Sequence, residues 1–273
     1  MKLKIGISPC PNDTFIFDAI YHQKISLPDV SFEFILEDVE TLNRLAGEEQ
    51  LDIVKLSYAR YFQVQENYAL LRSGGAMGFG VGPLLVSKNP IALDEISNRR
   101  IAIPGEFTTA HFLFRSEFPN AQQKQFMLFS AIEDALEKQE ADAGVLIHEG
   151  RFTYQQKGYY KLLDLGEAWD KKYQLPIPLG GIAINRRLAP YYSSINELIR
   201  NSIQMAWSQY PSLSDFIRCH AQEMDDAVMR QHIELYVNQF SEDVGAIGEG
   251  AIQCMKAILS PSTQFPIFLT TKS

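Results

Sequence analysis

Apolar and polar positions alternate over residues 2–8, and again over 31–36, where Phe32, Phe34 and Leu36 share one side. Both stretches predict β-strands. Between them Pro9-Cys-Pro-Asn-Asp-Thr breaks the pattern, and residues 15–21 continue as a helix. Val39, Leu42, Leu45 and Ala46 fall on one helical face, and residues 51–56 read as a short strand followed by a helix from Ser57. The first 60 residues thus spell β-α-β-α-β-α, the pattern of a parallel sheet covered by helices. A glycine-rich stretch over 72–83 leads to a strand at 84–87 and a polar connection over 89–99. A second β-α run follows, with strands at 100–103, 125–129, 143–147 and 160–165 and helices at 108–117 and 131–139. Leu175-Pro-Ile-Pro-Leu-Gly-Gly is rigid at its prolines and permissive at its glycines, which suits a return linker or hinge. After a strand at 182–184 the chain turns helical, at 194–208, 213–221, 225–237 and 245–258. Two such units joined by two crossings predict two lobes. Residues 1–90 plus 178–273 make a larger discontinuous lobe and 91–177 a smaller one, with hinges near 88–95 and 174–181 and a ligand cleft between them.

Composition narrows the partners. The chain has 273 residues, 33 of them acidic and 25 basic, for a net charge of −8. A bulk nucleic-acid binder shows the opposite balance, because neutralising phosphates takes Lys and Arg. No apolar run approaches the roughly 20 residues that span a bilayer, so no membrane insertion is expected. The first residues alternate like a strand and lack the apolar core of a secretory signal. The three cysteines, Cys10, Cys219 and Cys254, are odd in number and widely spaced, with no CxxC pair. A disulfide framework or thiolate metal site is not expected, and a reducing cytoplasm fits best. Oligomeric state is not legible. The expectation is a cytoplasmic protein acting on a small molecule.

In open α/β sheets ligands sit beyond the carboxyl ends of strands, where helices begin. Three turns qualify. In Ser8-Pro-Cys-Pro-Asn-Asp-Thr-Phe, the side chain of Asn12, Asp13 or Thr14 can cap the next helix and leave amides free for a carboxylate. A capped helix with no ligand explains the same residues equally well. Cys10 has no basic partner beside it and reads as packing. In Val54-Lys-Leu-Ser-Tyr, Lys55 supplies positive charge and Ser57 a hydroxyl. In Ile103-Pro-Gly-Glu-Phe-Thr-Thr-Ala, Gly105 allows a tight turn and Thr108 and Thr109 stand where hydroxyls and orphan amides converge. The glycines at 74, 75, 78, 80 and 82 are not a phosphate loop, because no GK[ST] follows. Of five histidines, His22, His111, His220 and His232 sit in or near predicted helices and need no special account. His148 follows the apolar strand 143–147 and precedes Glu149, which places an imidazole at a strand's carboxyl end. That side chain is the one best poised to take a proton near neutral pH. A structural histidine bonded to a loop is the plainer account. Glu149, its neighbour, points to the opposite face if the strand continues. No second histidine completes a zinc motif.

The strings SPCPNDTFIF (8–17), EDVETLN (37–43), KLSYA (55–59), RSGGAMGFGVGP (72–83), PGEFTTA (104–110) and IHEGRFTY (147–154) resemble the 1,4-dihydroxy-6-naphthoate synthase family of the futalosine route to menaquinone. The resemblance continues through DLGEAWD (164–170), LPIPLGGIAI (175–184) and YVNQFSEDVG (236–245), covering nearly the whole chain. It implies an α/β fold similar to type II periplasmic binding proteins, two lobes each with a mainly parallel sheet flanked by helices. It implies a carbon–carbon lyase that splits cyclic dehypoxanthinyl futalosine to 1,4-dihydroxy-6-naphthoate and dihydroxyacetone, with no metal or organic cofactor. It assigns His148 as the proton acceptor and Lys55, Leu56, Ser57, Thr109 and Ala110 as substrate contacts. The residue reading adds Asn12, Asp13 and Thr14 as an anion cradle for a small-molecule carboxylate, each hydrogen bond to which contributes about 1.5–3 kcal/mol. The competing readings are a binding protein of the same fold, the sister chorismate dehydratase, and a nucleic-acid regulator; the last would need an added helix-turn-helix.

Overall fold

The computed structural model describes residues 1–221 and 225–269. The first sheet begins with β1 (Lys2–Ile7), β2 (Ser31–Leu36) and β3 (Ile53–Ser57), joined by α1 (Pro11–Tyr21) and α2 (Val39–Gly47). β1 runs parallel to both β2 and β3, as helical crossovers require. Then come α3 (Tyr58–Val64), β4 (Tyr68–Leu70) and β5 (Ala76–Gly78). The second sheet takes β6 (Leu84–Ser87), β7 (Ile101–Ile103), β8 (Lys124–Phe126), β9 (Ala143–Leu146) and β10 (Tyr160–Asp164), in the order β10-β6-β9-β7-β8. With it go α4 (Thr109–Glu117), α5 (Ile132–Glu137), α6 (Gly150–Thr153) and α7 (Leu165–Tyr173). β11 (Ile177–Asn185) returns to the first sheet, antiparallel to β3, β4 and β5. The chain ends in α8 (Tyr192–Gln209), α9 (Asp215–His220), α10 (Asp226–Tyr236), α11 (Gln239–Glu242) and α12 (Gly245–Leu259), which pack on the first lobe.

Each sheet therefore has a parallel centre completed by antiparallel strands. Those strands, β6 and β11, are the ones that carry the chain between lobes. This moves one boundary. The sequence put residues up to 90 in the first lobe, but β6 pairs with β9 and β10 in the second. The outgoing crossing lies at 79–83, ahead of the 88–95 expected. Close backbone packing holds it there: a Cβ on Gly82 would stand 2.2 Å from the Gly166 Cα at the start of α7. Arg151 also donates to the carbonyls of Gly80 and Gly82. The return crossing lies at 174–176, at the front of the expected 174–181.

α1 shows why the core decides helix limits. It starts at Pro11, four residues before the apolar run, because a proline in the first turn forfeits no helical bond and the Cys10 carbonyl accepts from the Thr14 amide at 3.0 Å. The helix is buried from Pro11 to Ile20. Phe15, Ile16 and Phe17 join a cluster with Ile195, Ile199 and Ile203 of α8, each fully buried side chain contributing about 1.5–3 kcal/mol. α10 buries Met229, His232, Ile233 and Tyr236 along one stripe. Among the described residues no helix is long and apolar enough to cross a membrane.

Candidate active site

The strand ends meet at a cavity between the lobes. The first lobe brings Ser8, Asn12 and Asp13 from the β1–α1 turn, Lys55 and Ser57 from β3, Gly180 from β11, and His232 and Tyr236 from α10. The second brings Thr108, Thr109 and Ala110 at the start of α4, and Ile147 and His148 from the β9–α6 turn.

A buried hydrogen-bond chain organises the first-lobe wall. Lys55 Nζ donates to Asp13 Oδ1 at 2.7 Å and to the Gly74 carbonyl at 3.2 Å. Asp13 Oδ2 accepts from the Ser8 hydroxyl at 2.6 Å and the Ser8 amide at 3.2 Å. Asn12 Nδ2 donates to Asp13 Oδ1 at 2.8 Å, which turns its Oδ1 toward His232 Nε2 at 2.9 Å. An amide oxygen only accepts, so His232 carries its proton on Nε2. Asp13 and Lys55 neutralise one another. At the head of α1 the Asp13 amide is taken by the Cys10 carbonyl at 3.1 Å.

His148 occupies the turn after β9 in the left-handed region, at φ 53°. Such a conformation is uncommon outside glycine, with histidine among the residues more often found there. Its ring is held by packing. Phe129 meets it edge-on at 4.8 Å, and His232 lies parallel at 5.9 Å and 9° between planes. Its Nε2 is closed off from solvent and has no hydrogen-bond partner among the described residues. Burial pushes its pKa down from 6.5 to about 4, Asp13 pulling the other way and Lys55 adding to the fall. At neutral pH it is an uncharged base. His232 is also held well below the usual imidazole range, by burial first and then by His148 and Lys55.

The first residues of α4 also line the cavity. Thr108 caps the helix, accepting from the His111 amide at 3.1 Å, and Thr109 and Ala110 are its first residues, whose amides have no acceptor within the helix. The Glu106 and Phe107 amides ahead of them are taken. Glu40, reaching from α2 of the first lobe, accepts from the Glu106 amide at 2.8 Å and the Phe107 amide at 3.1 Å. The Thr109 hydroxyl is also spoken for, donating to the Leu179 carbonyl at 2.8 Å and accepting from the Ala59 amide at 3.3 Å. These contacts bridge the lobes and seal the rim. Burial holds the Tyr236 phenol above its ordinary pKa, so it stays neutral.

Seven of the nine residues marked in the sequence thus converge: Asn12, Asp13, Lys55, Ser57, Thr109, Ala110 and His148. Two do not. The Thr14 hydroxyl turns back to the Cys10 carbonyl at 3.1 Å, since the helix already includes it. The Leu56 side chain points from the other side of β3 into the core. None of Asn12, Asp13 and Thr14 caps α1, whose cap residue is Cys10 with no side-chain bond. Cys10 is buried, and burial pushes its thiol pKa up, which suits packing and not attack. Glu149 is buried with Oε1 3.7 Å from His232 Nδ1, so it faces His232. His232 is the residue that the sequence missed. Its signal was a histidine on the apolar stripe of α10. Among the described residues no group of three or more His, Cys, Asp or Glu side chains is arranged to hold a metal.

Two sheets flanked by helices around such a cleft define a periplasmic-binding-protein-like fold. The alkanesulfonate-binding protein SsuA of Xanthomonas axonopodis pv. citri shares it at TM-score 0.72 and 12% identity, over 97% of this chain and 94% of that one. A crystal structure of a protein from Archaeoglobus fulgidus aligns at TM-score 0.85 and 29% identity, over 96% of this chain and 98% of that one. The family described as menaquinone biosynthesis matches residues 3–260, and the chain belongs to it. Two curated relatives named 1,4-dihydroxy-6-naphthoate synthase are similar along nearly their whole length. The one from Thermus thermophilus is 44% identical over 251 residues, 92% of this chain and 91% of that protein. The one from Streptomyces coelicolor is 41% identical over 258 residues, 92% of this chain and 90% of that protein. The chain is an enzyme of menaquinone biosynthesis.

Proposed function

We propose that the protein is a carbon–carbon lyase that converts cyclic dehypoxanthinyl futalosine to 1,4-dihydroxy-6-naphthoate and dihydroxyacetone, with His148 as the proton acceptor. The observation that carries this reading is the buried His148 Nε2, without a hydrogen-bond partner among the described residues, at an inter-lobe cavity that is also lined by the first residues of α4. The α4 amides at Thr109 and Ala110 take the substrate carboxylate, a negative group that the positive end of a helix favours. Lys55 and Ser57 hold the opposite wall. His148 removes one proton from the substrate; the electron pair released breaks the carbon–carbon bond, the pair from that bond stays on one of the two fragments and takes the proton back from His148, and the three-carbon fragment departs. The ring that keeps the carboxylate becomes a naphthalene, which drives the step forward. The substrate's atoms are divided between the two products. A well-placed general base is worth about 10²–10⁴ in rate. The same reading takes the cytoplasm as the compartment, where Cys10, Cys219 and Cys254, all free thiols, stay reduced.

The test is to mix metal-stripped protein with cyclic dehypoxanthinyl futalosine and look by mass spectrometry for both products, with His148→Ala alongside. Products from the wild type, with the variant slower by about 10²–10⁴, agree with the reading. A folded wild type that binds the compound and leaves it intact overturns it in favour of a binding protein.

A further inference from the structure

His232 lies on α10 of the first lobe and His148 on the second, yet their rings lie parallel across the cleft with centroids 5.9 Å apart. His232 is itself clamped. Its Nε2 donates to Asn12 Oδ1, and Asn12 is held by Asp13, which is held by Lys55. Phe152 and Tyr236 pack against its ring at 6.2 Å and 4.7 Å. Its Nδ1 makes no hydrogen bond and has Glu149 Oε1 at 3.7 Å. With one nitrogen committed to Asn12 and the other turned to Glu149, His232 presents a ring face to the cavity. Among the described residues none makes a hydrogen bond to His148 Nε2 that would fix its ring. Its orientation comes from the two rings that touch it, Phe129 of its own lobe and His232 of the other.

We propose that His232 is the positioning residue of His148, a first-lobe ring that fixes the plane of the base and shuts water from it only when the lobes are closed. The inference rests on the reading of His148 as a base. The groups that face His232 are accounted for on every side. At His232 they are Lys55 of β3, His148 and Glu149 of the β9–α6 turn and Tyr236 of its own helix; at His148 they are Asp13 of α1, Lys55 of β3 and Asp38 at the head of α2. Burial, which lowers the His148 pKa, outweighs Asp13 and Asp38, which raise it, and the parallel His232 ring is the first-lobe part of the packing around His148. Closure of the lobes thereby becomes part of assembling the base.

The test separates ring from hydrogen bond. His232→Phe keeps a ring on that face, His232→Gln keeps an amide donor for Asn12 and removes the ring, and Asn12→Ser loosens the clamp without touching either ring. His148 is titrated by NMR in histidine-labelled protein without substrate, its signal identified by its loss in His148→Asn. In the wild type it titrates near about 4, and in His232→Phe it stays there. In His232→Gln it rises toward 6.5, Asn12→Ser falls between, and the acid limb of kcat/KM moves with each. A His148 titration unchanged in His232→Gln, or moved equally by Phe and Gln, overturns the proposal. So does a variant whose rate falls at every pH while its acid limb stays in place, the mark of a purely structural role. Because the NMR arm uses no substrate, it decides the positioning role independently of whether product forms.

Discussion

Replacing Lys55 by Met removes one half of the most deeply buried ion pair beside the cavity. Lys55 Nζ and Asp13 Oδ1 are 2.7 Å apart, with the side chains 7% and 2% exposed. At an effective dielectric of about 20 that separation gives about 6 kcal/mol of attraction. Taking each ion out of water costs several kcal/mol, so the intact pair comes close to balance. Lys55→Met forfeits the attraction while Asp13 stays buried, with only Ser8 and Asn12 as donors. The expected loss is about 3–5 kcal/mol, read as a fall in the urea midpoint at constant slope. The double variant Asp13→Asn with Lys55→Met removes both charges and recovers most of that loss. A single-variant loss below about 1 kcal/mol, the range of an exposed pair, would refute the reasoning. So would a double variant whose cost equals the sum of the two single ones.

Glu40→Gln probes the bridge between the lobes. Burial holds the Glu40 carboxyl above its ordinary value, against the downward pull of the Phe107 amide, Asn43 and the Glu106 amide. A raised carboxyl pKa means that the folded state binds the proton more readily, so this group's contribution to stability falls as pH rises. The variant keeps an acceptor oxygen and shows no such fall. Its urea midpoint therefore stands at or above the wild type's at neutral pH, and the gap closes below 4.5; a wild type that gains on the variant with rising pH contradicts this. Gly166→Ala brings a Cβ within 2.5 Å of Gly82 backbone, which has no side chain to swing aside. It costs about 1–3 kcal/mol, and a thermal midpoint equal to the wild type's would show that the crossing is not held there.

The alternating and helical stretches were legible in the sequence because each buries one face against a core, as β1, β2 and α8 do. β4 and β5 were not, since each has three residues and their glycine-rich neighbourhood reads as loop. α7 escaped because it follows β10 without a break, Asp164 ending the strand and capping the helix by accepting from the Gly166 and Glu167 amides. The site was legible where it lies at strand ends. Lys55 and His148 were found by their place after apolar runs, whereas Thr14 and Leu56 were carried along by neighbours that do line the cavity. His232 could not be placed, because its partner Asn12 is 220 positions away and nothing local distinguishes it from a packed helix histidine. The Lys55–Asp13 pairing is non-local in the same way, spanning 42 positions.

The central claim is that a neutral His148 takes the proton, and the pH dependence of turnover tests it most directly. In the free enzyme His148 titrates at about 4, and kcat/KM reports the free enzyme. A carboxylate bound in the same cavity favours the imidazolium and raises the His148 pKa in the complex. An acid limb of kcat/KM is therefore expected at about 4, with a limb of kcat clearly above it and the loss of both with the activity in His148→Ala. An acid limb of kcat/KM near 6.5, or a His148→Ala enzyme that turns over at the wild-type rate, would contradict it.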